Sequence, residues 1–263
     1  MTVTYSQALQ KSWRYPNLWN GRVWSVCPTL QGGGKTLIDF AGNNAGNMSL
    51  NNMSWNQFYN TINPTAATST AIGYVGGPVG NYAAPFSIAC WFYVSTLTPS
   101  GYLMMLNNAG VTTGANWFGI YTNSSNVITI GIGVGSVYSV TGATLTANTW
   151  YCVVATFSAT NVMTMYVNAN SGGTGGGSLV ASTGNLNRIS LGCWGGYGLH
   201  AYTGALFTDA AVWNRVLSAG EARQLYRLGP TGSYAQRPQP YNYAAAVAST
   251  GDLLSLRRRR VLA

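Results

Sequence analysis

The stretch over residues 206–230, LFTDAAVWNRVLSAGEARQLYRLGP, constrains the fold more than any other part of the chain, because it changes structural period partway and carries its own start and stop signals. Ser218 followed three residues later by Glu221 is a capping box: the hydroxyl accepts from the third helical amide, and the carboxylate accepts from the cap amide. Ala222, Leu225 and Tyr226 follow at helical spacing, and Arg223 and Arg227 fall toward the negative C-terminal end. Gly229 and Pro230 cannot continue the helix. Upstream, 206–213 has no helical stripe and ends at a polar corner, Asn214 and Arg215. The stretch therefore predicts a closing strand with a short helix tucked beneath it.

Strand signals recur through the rest of the chain. Residues 86–94, FSIACWFYV, are apolar on both alternating sets, which predicts a central strand covered on both faces. Segments 102–106, 117–121 and 127–134 follow as a meander, and 150–157 and 162–167 bracket Ala159, Thr160 and Asn161 as a hairpin. Residues 18–26 read as an edge strand, broken by Pro28 and the glycines at 32–34. Residues 54–85 read as loops with one or two short strands, and 168–177 as a flexible glycine loop. With 263 residues, 47% of them hydrophobic, and 33 glycines, one all-β domain fits better than two.

Several of these segments carry a family resemblance. The late strand followed by WNRVLSAGE, the core strand FSIACWFYV, the Trp-led pair WYCVVATFSATNVMTMYVN and the RISLG strand at 188–192 resemble the laminin-G-like, concanavalin A-type jelly roll. The resemblance covers roughly 19–228. It implies a jelly-roll β-sandwich with one short C-terminal helix, here flanked by extended arms: an N-terminal arm over 1–17, the jelly roll over 18–230 and a basic C-terminal arm over 231–263. Residues 36–50, TLIDFAGNNAGNMSL, resemble the family's Asp and Gly-Asn loop, which in relatives helps hold a calcium ion. The resemblance implies Asp39, Asn43 and Asn47 as ligands; the alternative is a turn whose Asp and Asn side chains bond their own backbone.

Chemistry is restricted by what the composition supplies. The chain has four acidic residues, Asp39, Asp209, Glu221 and Asp252, and one histidine, His200. No two of the acids are spaced as the pair that a glycosidase of this fold places on one strand, and Glu221 is already used by the cap. The expectation is a non-enzyme. Trp194, Tyr197, His200 and Tyr202 lie on a glycine-rich stretch where rings can stack on sugar faces and His200 can take hydroxyls; the alternative is that Trp194 and Tyr202 serve as packing. Trp117, Trp150 and Trp213 sit in strands and read as core. Cys27, Cys90, Cys152 and Cys193 are widely spaced, without zinc-knuckle spacing, and read as buried thiols.

Charged residues make up 6% of the chain, yet the net charge is +9 and much of the excess lies near the ends. Lys11, Trp13 and Arg14 in the first arm, and Arg237, Arg257, Arg258, Arg259 and Arg260 in the second, read as anchors that seek a neighbouring chain. The four consecutive arginines are a weak nucleic-acid signal, because no aromatics are interleaved with them. No apolar leader follows a basic start, and no segment has the length of a membrane span. These features, together with a resemblance that extends to jelly rolls with arginine-rich ends in phage-like proteins, lead to the expectation of a virion structural protein, a decoration, spike or capsid-associated subunit of a phage-like particle. Its partners would be copies of itself, other particle proteins and host glycans. The alternatives are a lectin module of a bacterial surface or secreted protein, and an inactive glycosidase relative.

Overall fold

A computed structural model describes residues 15–41, 47–66, 70–74, 85–107, 117–134, 136–176, 186, 188–194 and 201–234. A single helical turn, α1 (Pro16–Trp19), leads into β1 (Arg22–Val26), a second turn α2 (Pro28–Gln31) and the short strands β2 (Thr36–Leu37), β3 (Met48–Asn51), β4 (Met53–Asn56), β5 (Thr61–Pro64) and β6 (Thr70–Tyr74). The longer strands follow: β7 (Phe86–Val94), β8 (Tyr102–Asn107), β9 (Trp117–Thr122), β10 (Val127–Val134), β11 (Ser136–Thr144), β12 (Thr149–Phe157), β13 (Val162–Val167), β14 (Asn170–Gly176), β15 (Arg188–Leu191) and β16 (Ala205–Trp213). Helix α3 (Ala219–Leu228) closes the domain, followed by one 3-10 turn at Gly232–Tyr234.

Among the described residues the strands form two eight-stranded sheets. The first has the order β14-β13-β12-β7-β16-β5-β4, with β1 also on β16; the second runs β11-β10-β9-β8-β15-β6-β3-β2. Every strand pairing within the sheets is antiparallel, and order and sequence disagree repeatedly, as a jelly roll requires. The two-sided apolar pattern of 86–94 has the cause inferred from it. β7 pairs with β12 from Phe86↔Phe157 to Val94↔Thr149 and with β16 on its other side, so it sits at the middle of the first sheet.

Alternation along β7 feeds two separate cores. Phe86, Ile88, Cys90, Phe92 and Val94 point between the sheets with Phe118, Ile130, Phe157 and Val212. Ala89 and Trp91 point the other way, under Leu225 and Ala222 of α3 and Leu18 of α1. Phe86 meets Phe118 edge-on at 4.9 Å between ring centroids, one of the contacts that tie the sheets together. Truncating such a fully buried phenylalanine costs about 3–5 kcal/mol.

The folded body is longer than 18–230. Asn17 donates to Gln224 Oε1 at 2.8 Å, and the Trp19 indole N–H donates to the Ser233 carbonyl at 3.0 Å, so Tyr15 to Asn17 and Thr231 to Tyr234 pack with the domain. β1 is not an exposed edge: all five of its residues are buried, because α1 and the chain after α3 close over it. Arg22 of β1 is sandwiched by the rings of Trp19 (4.3 Å) and Trp213 (4.9 Å), a cation–π arrangement that lets an arginine reach 3% exposure. The stretch expected to be a glycine loop contains β14, paired along β13 from Val162↔Gly176 to Val167↔Asn170. Backbone pairing needs no side chains, and the glycines leave room for Met165 and Val140. All four cysteines are buried thiols. Burial first, and Asp209 nearby, push the thiols of Cys27, Cys90 and Cys152 up, with Cys90 adding to the effect on Cys152; they stay protonated and inert.

Candidate functional site

The outer face of the second sheet is built by four adjacent strands in register. Arg188 of β15, Asn107 of β8, Trp117 of β9 and Gly133 of β10 form one row across the sheet. The next row on the same face is Ser190, Met105, Gly119 and Gly131. Tyr102 and Tyr121 pair one row further. The neighbouring residues Leu106, Phe118 and Ile132 point inward, so alternation sends Trp117 and the glycines outward.

The glycines set the height of that surface. The Trp117 ring lies across Gly131 and Gly133: a Cβ at Gly131 would come within 2.9 Å of Trp117 Cη2 and 3.0 Å of Tyr121 Cε1, and a Cβ at Gly133 would strike the indole outright. Trp117 is thereby laid flat on the sheet, with 7% exposure. Trp194, just beyond β15, meets Trp117 edge-on at 5.4 Å and Tyr102 at 4.7 Å, while Tyr121 contacts both Trp117 (5.9 Å) and Tyr102 (5.7 Å). Four rings thus form one cluster, with Tyr102, Tyr121 and Trp194 half-buried at its surface. Burial, and secondarily Tyr121, push the Tyr102 phenol up to about 12. Burial also raises Tyr121, partly offset by its hydrogen bond with Ser139. Both phenols therefore stay neutral and able to donate and accept across the physiological range.

Of these rings Tyr102, Tyr121 and Trp194 are partly open to a sugar's C–H surface, with the phenol hydroxyls beside them, while Trp117 is buried beneath them. The face shows no acid–base pair among the described residues. Among the described residues Asp209 is buried on β16 of the opposite sheet, and Glu221 is engaged in the cap of α3. Asp39 lies beside β1, and Asp252 falls outside the described residues.

Of the four aromatic-loop residues expected at this site, Trp194 joins the cluster. Tyr202 does not present its ring: it is fully buried in the main core, with its hydroxyl accepting from the Thr98 amide at 3.3 Å. The packing alternative therefore describes Tyr202. Tyr197 and His200 lie outside the described residues. Tyr102, Trp117 and Tyr121 were not expected here, since a two-residue period alone does not say which face of a strand looks outward. The spacing Gly131-x-Gly133 was the available signal, two consecutive outward positions of β10 stripped of side chains.

The described ends of the Asp39 loop are tied together by hydrogen bonds. Asp39 Oδ1 accepts from the amides of Ser25 at 2.8 Å and Ala41 at 2.9 Å, and Asn47 Oδ1 accepts from the Asp39 amide at 3.2 Å. Asp39 Oδ1 and Asn47 Oδ1 thus serve backbone amides, as the turn alternative expects; Asn43 lies outside the described residues. Lys11, Trp13, Arg14, Arg237 and Arg257 to Arg260 also lie outside them.

Comparison with known proteins agrees with this architecture. No curated protein matches the chain. Among solved structures, the receptor binding domain of botulinum neurotoxin C/D mosaic serotype superposes with a TM-score of 0.63 at 14% identity, over 80% of this chain and 51% of that one. Trypanosoma rangeli sialidase superposes with a TM-score of 0.61 at 15% identity, over 79% of this chain and 32% of the enzyme. The chain thus spans about half the length of the toxin domain and a third of the sialidase. At these identities the likeness is one of fold. A laminin-G family model, described as the Concanavalin A-like lectin/glucanases superfamily, matches residues 73–223, more than half of the chain. The chain belongs to the laminin-G-like family of the concanavalin A-like lectin/glucanases superfamily.

Proposed function

We propose that this domain is a non-catalytic glycan-recognition module that holds sugars on the face formed by Tyr102, Trp117, Tyr121 and Trp194, and that its terminal arms fix it to a virion-like assembly. The observation that carries the reading is the convergence of four rings on one sheet face over a glycine floor. One solved structure alike in fold is described as the receptor binding domain of a toxin, of which this chain spans about half; a recognition role for the jelly roll is in keeping with that likeness. The sialidase neighbour is an enzyme, but the paired carboxylates that glycosidic cleavage generally uses are lacking on this face among the described residues.

The virion assignment rests on composition: 6% charged residues, a net charge of +9, the separate basic residues Lys11 and Arg14 near the start and a run of four arginines near the finish. The alternative, a lectin module of a cell-surface or secreted protein, shares the same binding face and differs only in what receives the arms.

The test is a glycan array probed with wild-type protein and with Trp194→Ala. Wild type binds a restricted set of glycans, and Trp194→Ala weakens that binding about tenfold or more while melting within a few degrees of wild type, as loss of a half-exposed stacking ring implies. An array without hits sinks the reading. So does Trp194→Ala binding as tightly as wild type.

A further inference from the structure

We infer that the opposite sheet carries a second site for neutral glycans, formed by Phe58, Tyr59, Tyr93 and Trp150. These residues come from two separate parts of the chain. Tyr93 and Trp150 are cross-strand partners on β7 and β12, and their rings pack at 5.4 Å on the outer side of the first sheet. Tyr59, on the turn between β4 and β5, lies 5.5 Å from Tyr93 and 6.0 Å from Trp150, and Phe58 meets Tyr59 edge-on at 4.8 Å. The row grows more exposed toward its tip: Tyr93 and Trp150 are half-buried, Tyr59 is 37% exposed and Phe58 is 85% exposed.

Two features separate this row from a casually exposed phenylalanine. The tip is held in place, because Asn56 Oδ1 accepts from the amides of both Phe58 and Tyr59 at 3.1 Å; binding therefore does not have to order the turn. Amide groups border the rings. Tyr93 donates its hydroxyl to Asn148 Oδ1 at 3.2 Å, which leaves the exposed Asn148 NH2 as a donor.

The chemistry selects the occupant. The two turns read Gln-Phe-Tyr-Asn over 57–60 and Ala-Asn over 147–148, with no charge in either, although the chain as a whole carries +9. An anionic ligand or an anionic membrane surface would want Lys or Arg there. A second copy of the chain would want more area. Large aromatic side chains present about 150–250 Å² each when whole, so this row at its exposures offers on the order of 400 Å², against the ~800 Å² per partner of a stable protein interface. Four rings with amide donors and no charge fit the C–H faces and hydroxyls of a neutral oligosaccharide.

The experiment measures binding of neutral tetrasaccharides of glucose, galactose, mannose and N-acetylglucosamine by calorimetry. Wild type, Trp194→Ala, the pair Phe58→Ala with Tyr59→Ala, and all three changes together are compared. Trp194→Ala retains binding of at least one tetrasaccharide; adding Phe58→Ala and Tyr59→Ala weakens it about tenfold or more, and Phe58→Trp in place of Phe58→Ala restores it. Loss through Phe58 and Tyr59 with no effect of Trp194 would retire the first face and keep this one. The inference is overturned if Trp194→Ala binds none of the four sugars, or binds them equally with and without Phe58 and Tyr59. It is also overturned if the Phe58 and Tyr59 changes abolish self-association in sedimentation, or flotation with phosphatidylcholine vesicles, and leave sugar binding untouched.

Discussion

Arg215 joins three parts of the chain through one guanidinium. It pairs with both carboxylate oxygens of Glu221, at 2.6 and 2.9 Å, and donates to the carbonyls of Asn17 (2.6 Å) and Asn20 (2.7 Å). Glu221 in turn accepts from the Ser218 amide at 2.9 Å and completes the capping box. Glu221→Ala therefore removes a cap and a partner of Arg215, and lowers stability by about 1–2 kcal/mol in denaturant titrations, without altering glycan binding. Burial pushes the Glu221 carboxyl up, but the bonds from Arg215 and Ser218 outweigh it and hold the group below the ordinary glutamate range. Its stabilising contribution is thus complete above about pH 4.3 and is lost as pH falls through the lower folded-state value. Melting curves of Glu221→Gln should converge on wild type toward acid and separate above that range; a constant gap at all pH values contradicts the assignment.

At the scale of elements, the flatness of β9 and β10 is what brings the rings together. Gly133→Ala puts a methyl group into the Trp117 indole, so the ring must lift. The expected result is a loss of about 1–3 kcal/mol, with weaker glycan binding, read from melting and from the array. Gly131→Ala acts alike, through Trp117 and Tyr121 together. Much of this layer was legible from the chain: β7, β12, β13 and β16 are long apolar runs with clear ends, and Ser218 and Glu221 announce α3 by local chemistry alone. β14 was not, since a run of Asn, Ser, Thr and Gly reads as a loop unless the partner strand β13 is known. The aromatic cluster was only partly legible. Trp194 stood out beside glycines, but its partners Tyr102, Trp117 and Tyr121 arrive from β8 and β9, and which side of a strand faces solvent is decided by the opposing sheet. Trp150, by the same limit, reads as core and is in fact half-buried in the row that ends at Phe58.

For the whole molecule, the extent of the described body decides where the chain can be cut. Because Trp19 bonds to Ser233, a truncation meant to remove only the C-terminal arm has to fall after Tyr234, not after Pro230. Such a chain should melt as wild type and retain glycan binding, yet fail to enter the assembly it is proposed to serve; normal incorporation would refute anchoring by that arm. The contact between Trp19 and Ser233 has one more consequence. It brings the entry and exit of the folded body side by side, so the body is a closed loop in all but covalent connection. A short Gly-Ser bridge from Tyr234 back to Tyr15, with new ends cut in the exposed turn at Ala159 and Thr160, should give a circular permutant with wild-type strand pairing, seen in circular dichroism and in retained sugar binding. By the same closeness, a host protein could take up the body as an insert in a surface loop without its own chain being pulled apart.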